Sequence, residues 1–308
     1  MVKIYSAPLQ GYTNAPWRHF HANIYGGADG YFSPFLRAEK GEVRRHDLKD
    51  ITSDLNGNHS IVPQIIFRDM AEFNLLVETV IAQGYKSVNL NMGCPFPPQV
   101  KHGRGSAVIL NIDLLRTLKS AMDALPEVSF SVKMRLGVDN PKQWTDAIGL
   151  LNSMPLEHIT LHPRTAQQQY TGELYLDQFE DFMSHSAHKV IFNGDITSPD
   201  DITAVVNRSP SVYGVMIGRG LLSRPSLIQE YRSGEEWSNE CQIAEVLNLH
   251  QSLYDYYRDI ACGDSQFLSQ LKPFWTYLEP LIGHKSAKLI KKATTINKYN
   301  AAITNISR

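Results

Sequence analysis

The sequence contains few cysteines and no apolar run long enough to cross a bilayer. Three cysteines occur among 308 residues, at Cys94, Cys241 and Cys262, and no two of them have CxxC spacing. This pattern excludes a disulfide framework and gives no support to a structural zinc site, so we expect no bound metal. The N-terminal residues lack an apolar segment of signal-peptide length. We therefore expect a cytoplasmic protein that does not enter a membrane.

An excess of charge of one sign is also missing, since 30 basic and 31 acidic residues leave a net charge of −1. Low-complexity tracts and a GxGxxG dinucleotide-binding loop are absent as well. An apolar content of 43% in a chain of this length is enough for one large core, or for a large domain and a small one. We expect a well-folded protein without a separate nucleotide-binding domain.

Short β-type runs alternate with helical patterns as far as Ile217. The clearest helix begins at the cap Asp69, has Glu72 three positions later and stops at Gly84. This alternation is typical of a (β/α)8 TIM barrel, which we place at residues 1–235, and also of a doubly wound open sheet. Two more helices are predicted over 111–124 and 142–153, and eight strands over 3–7, 30–33, 61–67, 87–91, 129–134, 158–162, 190–193 and 213–217.

Polar or charged residues follow nearly every predicted strand. They are Gln10, Gln64, Asn91, Lys133 with Arg135, His162 with Arg164, Asn193 with Asp195, and Arg219. In a barrel the carboxyl ends of all strands meet at one face, and polar residues gathered there indicate a ligand site. This placement favours the barrel over the open sheet.

Two glycine-containing turns, at 193–195 and 218–220, follow the seventh and eighth predicted strands. Barrels commonly bind a phosphate at these positions through backbone N–H groups and a helix N-terminus. Lys133, Gln64 and His162 add three hydrogen-bonding groups that suit the edge of a flat heteroaromatic ring. An amine there can stabilise negative charge on a reduced flavin, so the residues indicate a flavin site.

Cys94 stands where the predicted strand 87–91 gives way to a loop, between Gly93 and Pro95. We expect a loop here that cannot be helical, and a thiol that is presented rather than packed. The alternative role is that of a small buried apolar residue. The other two cysteines lie in helical-looking segments, and we interpret them as core or surface residues.

Ordered motifs along most of the chain resemble the tRNA-dihydrouridine synthases, flavin enzymes that reduce uridine in the D loop of tRNA. The resemblance is to the compact bacterial type and, more loosely, to the class acting on uridine 16. The segments that carry it are Ala7-Pro8-Leu9-Gln10-Gly11-Tyr12-Thr13, Asn91-Met92-Gly93-Cys94-Pro95 with 103–110, 132–137, 162–172, Asn193-Gly194-Asp195-Ile196, and 216–220 with Pro225.

The resemblance implies NADPH as electron donor, and the sequence itself does not distinguish NADPH from NADH. It also implies reduction of the uracil C5=C6 bond, with a hydride from FMN N5 to C6 and a proton from Cys94 to C5. A thiol with an ordinary pKa of about 8.5 is mostly protonated near neutral pH and can supply that proton. FMN is then bound by Pro8, Leu9, Gln10, Gln64, Lys133, His162, Asn193, Gly194, Asp195, Gly218 and Arg219.

After residue 235 the pattern is helical only, with helices predicted over 243–257, 267–278 and 284–297. We interpret residues 236–308 as a small all-helical domain. From Leu281 onward there are basic residues and no acidic ones, namely Lys285, Lys288, Lys291, Lys292, Lys298 and Arg308. Such a run is usually a solvated helix face, although aromatic residues just upstream suit contact with folded RNA.

By resemblance, the helical domain binds tRNA. The sequence itself does not indicate the oligomeric state, and we expect a monomer. The implied RNA contacts are Arg37, Asn91, Tyr170, Lys272, Phe274 and Lys292. One segment departs from the family pattern, because Phe96-Pro97-Pro98-Gln99 stands where many members carry small and basic residues. The change removes charge and is expected to stiffen the loop.

Two other functions stay open on sequence alone. A flavin barrel acting on a free pyrimidine or a small enone, as dihydroorotate dehydrogenases and old yellow enzymes do, leaves the basic helical region without a role. A catalytically silent RNA-binding protein leaves Cys94, Lys133 and the phosphate-site residues without one.

Overall fold

The computed structural model describes residues 2–57 and 59–306, and in this part of the chain the strands form one sheet. Their order in the sheet is β4-β3-β6-β7-β8-β9-β10-β11-β1-β2-β5, with the numbers following the chain. The bounds are β1 Lys3–Ser6, β2 Gly30–Phe32, β3 Leu36–Glu39, β4 Glu42–Val43, β5 Ile61–Val62, β6 Gln64–Ile66, β7 Ser87–Met92, β8 Ser129–Gly137, β9 Leu156–Thr165, β10 Lys189–Phe192 and β11 Gly214–Ile217.

This sheet closes on itself. Strands β5 and β6 are separated only by Pro63, which has no N–H to donate to a ladder, so they form one interrupted strand. Strands β2 and β3 likewise form one interrupted strand, because β2 pairs with β5 and β3 pairs with β6, both in parallel. Strand β11 pairs with β1, which pairs with β2.

Counting each interrupted pair as one strand, and leaving aside β4, gives eight parallel strands in a ring. The predicted TIM barrel is therefore confirmed, and the doubly wound open sheet is wrong. All eight predicted strands are present, and they differ from the observed ones mainly at their ends.

Among the described residues, ten α-helices accompany the barrel and five follow it. The barrel helices are α1 Ala15–Ile24, α2 Arg45–Ile51, α3 Met70–Ala82, α4 Pro97–Lys101, α5 Ile112–Asp123, α6 Ile148–Ser153, α7 Leu176–His185, α8 Pro199–Arg208, α9 Arg219–Ser223 and α10 Leu227–Ser233. The C-terminal helices are α11 Asn239–Ile260, α12 Asp264–Leu271, α13 Glu279–Ile282, α14 His284–Lys292 and α15 Ile296–Thr304. Asp69 caps α3 as predicted, since its side chain accepts the N–H of Glu72 at 2.9 Å.

Three predicted helices are divided in the structure. The helix predicted over 142–153 is a 3-10 turn, Gln143–Asp146, followed by α6. The one over 267–278 changes to a 3-10 helix at Lys272, next to Pro273, which cannot donate an α-helical hydrogen bond. The one over 284–297 is two helices, because the side chain of Thr295 accepts the N–H of Lys298 and starts α15 as its cap.

The sequence-based prediction contains neither the hairpin of β3 and β4 nor the short helix α4. Strands β3 and β4 form an antiparallel hairpin whose turn, Lys40-Gly41, has φ of 54° and 81°. The prediction of a loop that cannot be helical is wrong beyond Phe96, because Pro97 opens the short helix α4. Proline is tolerated in the first helical turn, where the N–H groups have no partner within the helix.

The C-terminal helices pack beside the mouth of the barrel. The Asn14 side chain donates to the Tyr257 hydroxyl at 2.8 Å, and the rings of Tyr12 and Tyr277 meet edge to face with centroids 5.2 Å apart. Within the described residues, no helix is both long and apolar enough to cross a membrane. The division into two domains at residue 235 stays a prediction.

Candidate active site

A cleft of about 950 Å³ opens at the carboxyl ends of the barrel strands. Tyr277 and Pro280 of the C-terminal region form part of its wall. Every residue predicted to bind the cofactor lines this cleft, together with Cys94 and three of the predicted RNA contacts, Arg37, Asn91 and Tyr170. The predicted cofactor set is Pro8, Leu9, Gln10, Gln64, Lys133, His162, Asn193, Gly194, Asp195, Gly218 and Arg219.

The backbone around Cys94 is held from both sides. Asn91 Oδ1 accepts the N–H of Cys94 at 2.8 Å and that of Gly93 at 3.1 Å. The carbonyl of Cys94 accepts from the backbone N–H and the hydroxyl of Ser106, both at 3.2 Å. Burial raises the pKa of the Cys94 thiol, although the backbone N–H of Phe96 opposes this shift. The thiol is therefore protonated at neutral pH, which suits a proton donor better than a nucleophile.

A glycine is required at position 105 because the chain passes very close to Cys94 there. Its φ is +59°, and a Cβ at this position would lie 2.7 Å from both Cys94 Cβ and the Cys94 carbonyl oxygen. A side chain here would therefore push the thiol out of place.

We expect Gly105→Ala to lower the free energy of unfolding by on the order of 1–3 kcal/mol and to lower activity further by displacing Cys94. Gly41→Ala is the matched control, since its φ is +81° and nothing lies within 4 Å of the added Cβ. Urea unfolding and turnover are measured for both variants. Equal losses in the two would show that the contact with Cys94 is unimportant.

A chain of buried amides supports the same loop. Asn91 Nδ2 donates to Gln64 Oε1 at 2.8 Å, Gln64 Nε2 donates to Asn89 Oδ1 at 2.7 Å, and Asn89 Nδ2 donates to Ser131 Oγ at 2.9 Å. Asn91 was predicted as an RNA contact, but it is buried and its amide is engaged within the protein. In the structure its side chain holds the backbone at Cys94, and its contact with RNA stays a prediction.

Lys133 reaches into the cleft from β8. Its Nζ donates to Asn193 Oδ1 at 2.6 Å, and Asn193 Nδ2 donates to the carbonyl of Met216 at 2.7 Å. Burial, followed by the charge of Arg135, lowers the pKa of Lys133 to about 7. The folded protein therefore binds this proton less tightly than the unfolded chain does.

Lys133→Met is expected to stabilise the ligand-free protein at pH 7 by on the order of 1–3 kcal/mol, although we expect it to impair function. Since the unfolded chain holds the lysine proton up to about pH 10.4, the lysine's penalty is fully present below about pH 7 and shrinks as the pH rises. Urea unfolding at pH 7 and pH 10 measures this, with the exposed Lys142→Met as control. A variant less stable than wild type at pH 7 would contradict the expectation.

Two arginines pair with one carboxylate at the cleft, and two further cationic side chains lie there without an acidic partner among the described residues. Arg164 Nη1 and Arg219 Nη2 lie 2.9 and 3.0 Å from Asp195 Oδ1, and the hydrogen bond from Arg164 is the main reason that the pKa of Asp195 is lowered. Among the described residues, Lys133 and Arg135 form no salt bridge. Arg135 donates instead to the carbonyls of Gly93 and Thr165, at 3.1 and 2.7 Å. The mouth therefore carries uncompensated positive charge and suits an anion.

His162 is neutral in this surrounding. Burial and then the nearby charges, Arg135 and Lys133 foremost, hold its pKa well below the usual range. Arg164 Nη1 lies 3.3 Å from His162 Nε2, which as the unprotonated nitrogen accepts its N–H. The remaining Nδ1 then carries the proton and can donate to a ligand.

The two predicted glycine turns are in direct contact. A Cβ on Gly220 would collide with the carbonyl oxygen of Ile196, so a glycine is needed where the turn after β11 meets the turn after β10. The two turns are therefore close enough for backbone N–H groups of both to bind one anion, and the phosphate site stays a prediction.

The ring of Tyr170 lies beside two arginines of the cleft, and its side chain is 47% exposed. The guanidinium carbons of Arg219 and Arg135 lie 4.6 and 5.4 Å from its ring centroid. An exposed ring beside two arginines is a surface on which a nucleobase can stack.

The remaining predicted RNA contacts lie outside the cleft. Lys272 Nζ donates to the carbonyls of Lys291 (3.2 Å) and Ala293, so it closes the end of α14. Phe274 is half-buried and packs edge to face on Trp275. Lys292 is exposed on α14 and is free to meet solvent. Arg308 lies outside the described residues.

Sequence reasoning placed Arg135 among the polar strand ends without giving it a role, and it left Gln99 and Tyr277 out of the site, although all three line the cleft. Arg135 had a signal, because it stands two positions after Lys133 on the same strand and so points to the same face. Gln99 and Tyr277 had no such signal in the sequence, because the packing of α4 and of the C-terminal region brings them to the mouth of the cleft.

Together the barrel, the cationic mouth and the presented thiol define a TIM-barrel enzyme whose site is built for an anionic ligand. The dihydrouridine synthase family model matches residues 5–302. The chain therefore belongs to the dihydrouridine synthase family, as its motifs predicted.

Individual proteins agree with this assignment. A tRNA-dihydrouridine(47) synthase [NAD(P)(+)] of Coprinopsis cinerea is 31% identical over 279 residues, covering 82% of this chain but only 39% of the fungal protein. The tRNA-dihydrouridine synthase B of Yersinia pestis is 28% identical over 263 residues, covering 82% of this chain and 80% of that protein. Among solved structures, morphinone reductase is similar with a TM-score of 0.55, at 10% identity over 77% of this chain and 87% of its own.

Proposed function

We propose that this protein uses FMN and NAD(P)H to reduce the C5=C6 bond of a uridine in the D loop of tRNA to 5,6-dihydrouridine. The observation that carries the proposal is the protonated Cys94 thiol, fixed on a rigid loop and facing a cationic cleft. The names of its relatives, which act on tRNA uridine, support the substrate.

The residues present fit FMN. The paired turns around Gly194 and Gly220, together with Arg219, suit its phosphate, and Gln64 and Lys133 suit the polar edge of its ring. The excess positive charge at the mouth gives an anionic cofactor a reason to bind there. When bound and reduced by NAD(P)H, FMN would supply a hydride for C6 of the uracil.

Cys94 supplies the other hydrogen, as a proton to C5. The hydrogen bonds of its backbone with Asn91 and Ser106 fix the position of residue 94, so the backbone needs little reorganisation for transfer. Lys133 and Arg135 lie near enough to Cys94 to stabilise the thiolate left behind, because their charges oppose the rise in its pKa.

Exposed lysines of the C-terminal region, Lys288, Lys291 and Lys292 on α14, are proposed to bind the tRNA backbone. Tyr170 and Arg37 are proposed as contacts nearer the target. NADPH is the proposed donor, position 16 the proposed target, and a monomer the proposed functional form.

The test is to incubate the purified protein with tRNA lacking dihydrouridine, using NADPH or NADH, and to map mass gains by nucleotide. One dihydrouridine in the D loop, formed faster with NADPH, is expected. Reduction at another position would correct the target, and an unchanged tRNA with both donors would overturn the proposal.

A further inference from the structure

A buried acceptor without a partner lies in the wall of the cleft. Gln99 on α4 is 7% exposed and lines the cleft, and its Oε1 has no hydrogen-bond partner among the described residues. A buried acceptor without a partner is destabilising and rare in native proteins. Oε1 atoms of Gln178 and Gln229 are also unpaired, but those residues lie outside the cleft. The atom itself is covered, so a donor in the cleft reaches it when the Gln99 side chain turns toward the ligand, and its lack of a partner inside the protein favours that turn.

An exposed ring stands three residues before this acceptor. Phe96 is 58% exposed and lines the same cleft. A flat apolar face in a cationic cleft suits a nucleobase, because every base has a π-face that can stack on it.

The segment holding both side chains is rigid. Pro95, Pro97 and Pro98 fix their own φ angles. The N–H of Gln99 donates to the carbonyl of Phe96 and its carbonyl accepts from Arg104, both at 2.9 Å. The Arg104 guanidinium in turn pairs with Glu72 on α3, with Nε to Oε2 at 2.9 Å. A partner binding here therefore orders little of the protein, which favours affinity.

We propose that Phe96 and Gln99 form a subsite for the nucleotide adjacent to the target uridine. Its base stacks on Phe96, and a donor of the same nucleotide, the ribose 2′-hydroxyl or a base N–H, satisfies Gln99 Oε1. This proposal rests on the proposed function, and it adds a recognition element beside Cys94 that the predicted RNA contacts do not include.

Two variants test the subsite in the full-length, cofactor-loaded protein with the unmodified tRNA that wild type reduces. Gln99→Met keeps the volume and removes the acceptor, and Phe96→Ala removes the stacking face. Each is expected to lower kcat/KM for tRNA about tenfold, mainly through KM, because the lost contacts bind the nucleotide rather than the reacting atoms. The matched controls are Gln229→Met, which removes an unpaired oxygen outside the cleft, and the exposed Ile260→Ala.

Stability separates this role from a structural one. If a ligand is the missing partner, Gln99→Met leaves the urea midpoint of the ligand-free protein unchanged or raises it. A lowered midpoint with unchanged kcat/KM would mean that Gln99 supports the fold, and would overturn the proposal.

Modified tRNAs identify the donor. Each nucleotide flanking the mapped uridine is made 2′-deoxy, or given a base lacking its N–H donors. One modification is expected to slow wild type about tenfold yet leave Gln99→Met unaffected, as in a double-mutant cycle. If wild type reduces tRNA but both variants match their controls, the subsite is wrong and the proposed function stands. If wild type reduces no tRNA uridine, both fail together.

Discussion

Replacing Cys94 with alanine is expected to slow dihydrouridine formation in tRNA by on the order of 10²–10⁴-fold, the usual contribution of a positioned acid. The variant loses the proton for C5 but keeps the hydrogen bonds to Asn91 and Ser106 that run through the backbone of residue 94. Its fold and its affinity for tRNA should therefore change little. Single-turnover reduction of tRNA by pre-reduced protein measures the effect.

The same experiment has a pH signature. Burial raises the pKa of Cys94, so the active thiol form persists through neutral pH and is lost only in the alkaline range. The wild-type rate should fall as the pH rises through that range, and the fall should be absent in Cys94→Ala. The exposed Cys241→Ala and Cys262→Ala serve as controls. A Cys94→Ala rate within threefold of wild type would show that another group is the acid.

The largest expected loss of stability is at Glu230, which is buried in α10 behind the turn that carries Arg219. Its carboxylate accepts from Arg224 Nε at 2.9 Å, from the Ser226 hydroxyl at 2.5 Å and from the N–H of Trp237 at 2.9 Å. Glu230→Leu leaves Arg224 with the exposed Glu236 as its remaining carboxylate partner and removes the acceptor of the Ser226 hydroxyl and the Trp237 N–H. We expect a loss of about 3–5 kcal/mol in the free energy of unfolding, as for other broken buried pairs.

The control for this variant is Glu236→Gln. Glu236 pairs with the same Arg224 at 3.1 Å, but its side chain is 80% exposed, so a change below about 1 kcal/mol is expected. Burial opposes the shift, but the hydrogen bonds from Arg224 and Ser226 hold the pKa of Glu230 below its usual value. The stabilisation is therefore present above about pH 4.3 and lost as the pH falls below it. Urea unfolding at pH 7 and pH 4 checks both points, and equal losses from the two variants would contradict the account.

Much of the fold could be predicted because barrel strands and caps depend on local sequence. The alternation of strands and helices, and the cap at Asp69, survive in the structure because neighbouring residues determine them. The hairpin at Lys40-Gly41 could not be predicted, since strands that short carry no periodicity. Helix α4 was missed because Pro97 and Pro98 were interpreted as stiffening a loop, whereas here they begin a helix.

The site was predictable where the residue type and the strand end coincide, as at Lys133, His162 and Asn193. It was not predictable where a side chain can either contact a ligand or form hydrogen bonds within the protein. Asn91 looks like an RNA contact from sequence, but its side-chain oxygen accepts the backbone N–H of Cys94. Lys272 looks like a phosphate ligand, but its amine donates to the backbone carbonyls of Lys291 and Ala293 at the end of α14. Such competition between partners depends on distances that a sequence does not contain.

The most direct test of the central claim is a competition between substrates. Protein loaded with FMN receives a limiting amount of NADPH in the presence of dihydrouridine-free tRNA, free uridine and cyclohexenone. The account predicts that the NADPH consumed matches the dihydrouridine formed in tRNA, with the small molecules unchanged. Consumption of NADPH with reduction of the enone, while every tRNA uridine stays intact, would contradict it and identify a small-molecule reductase.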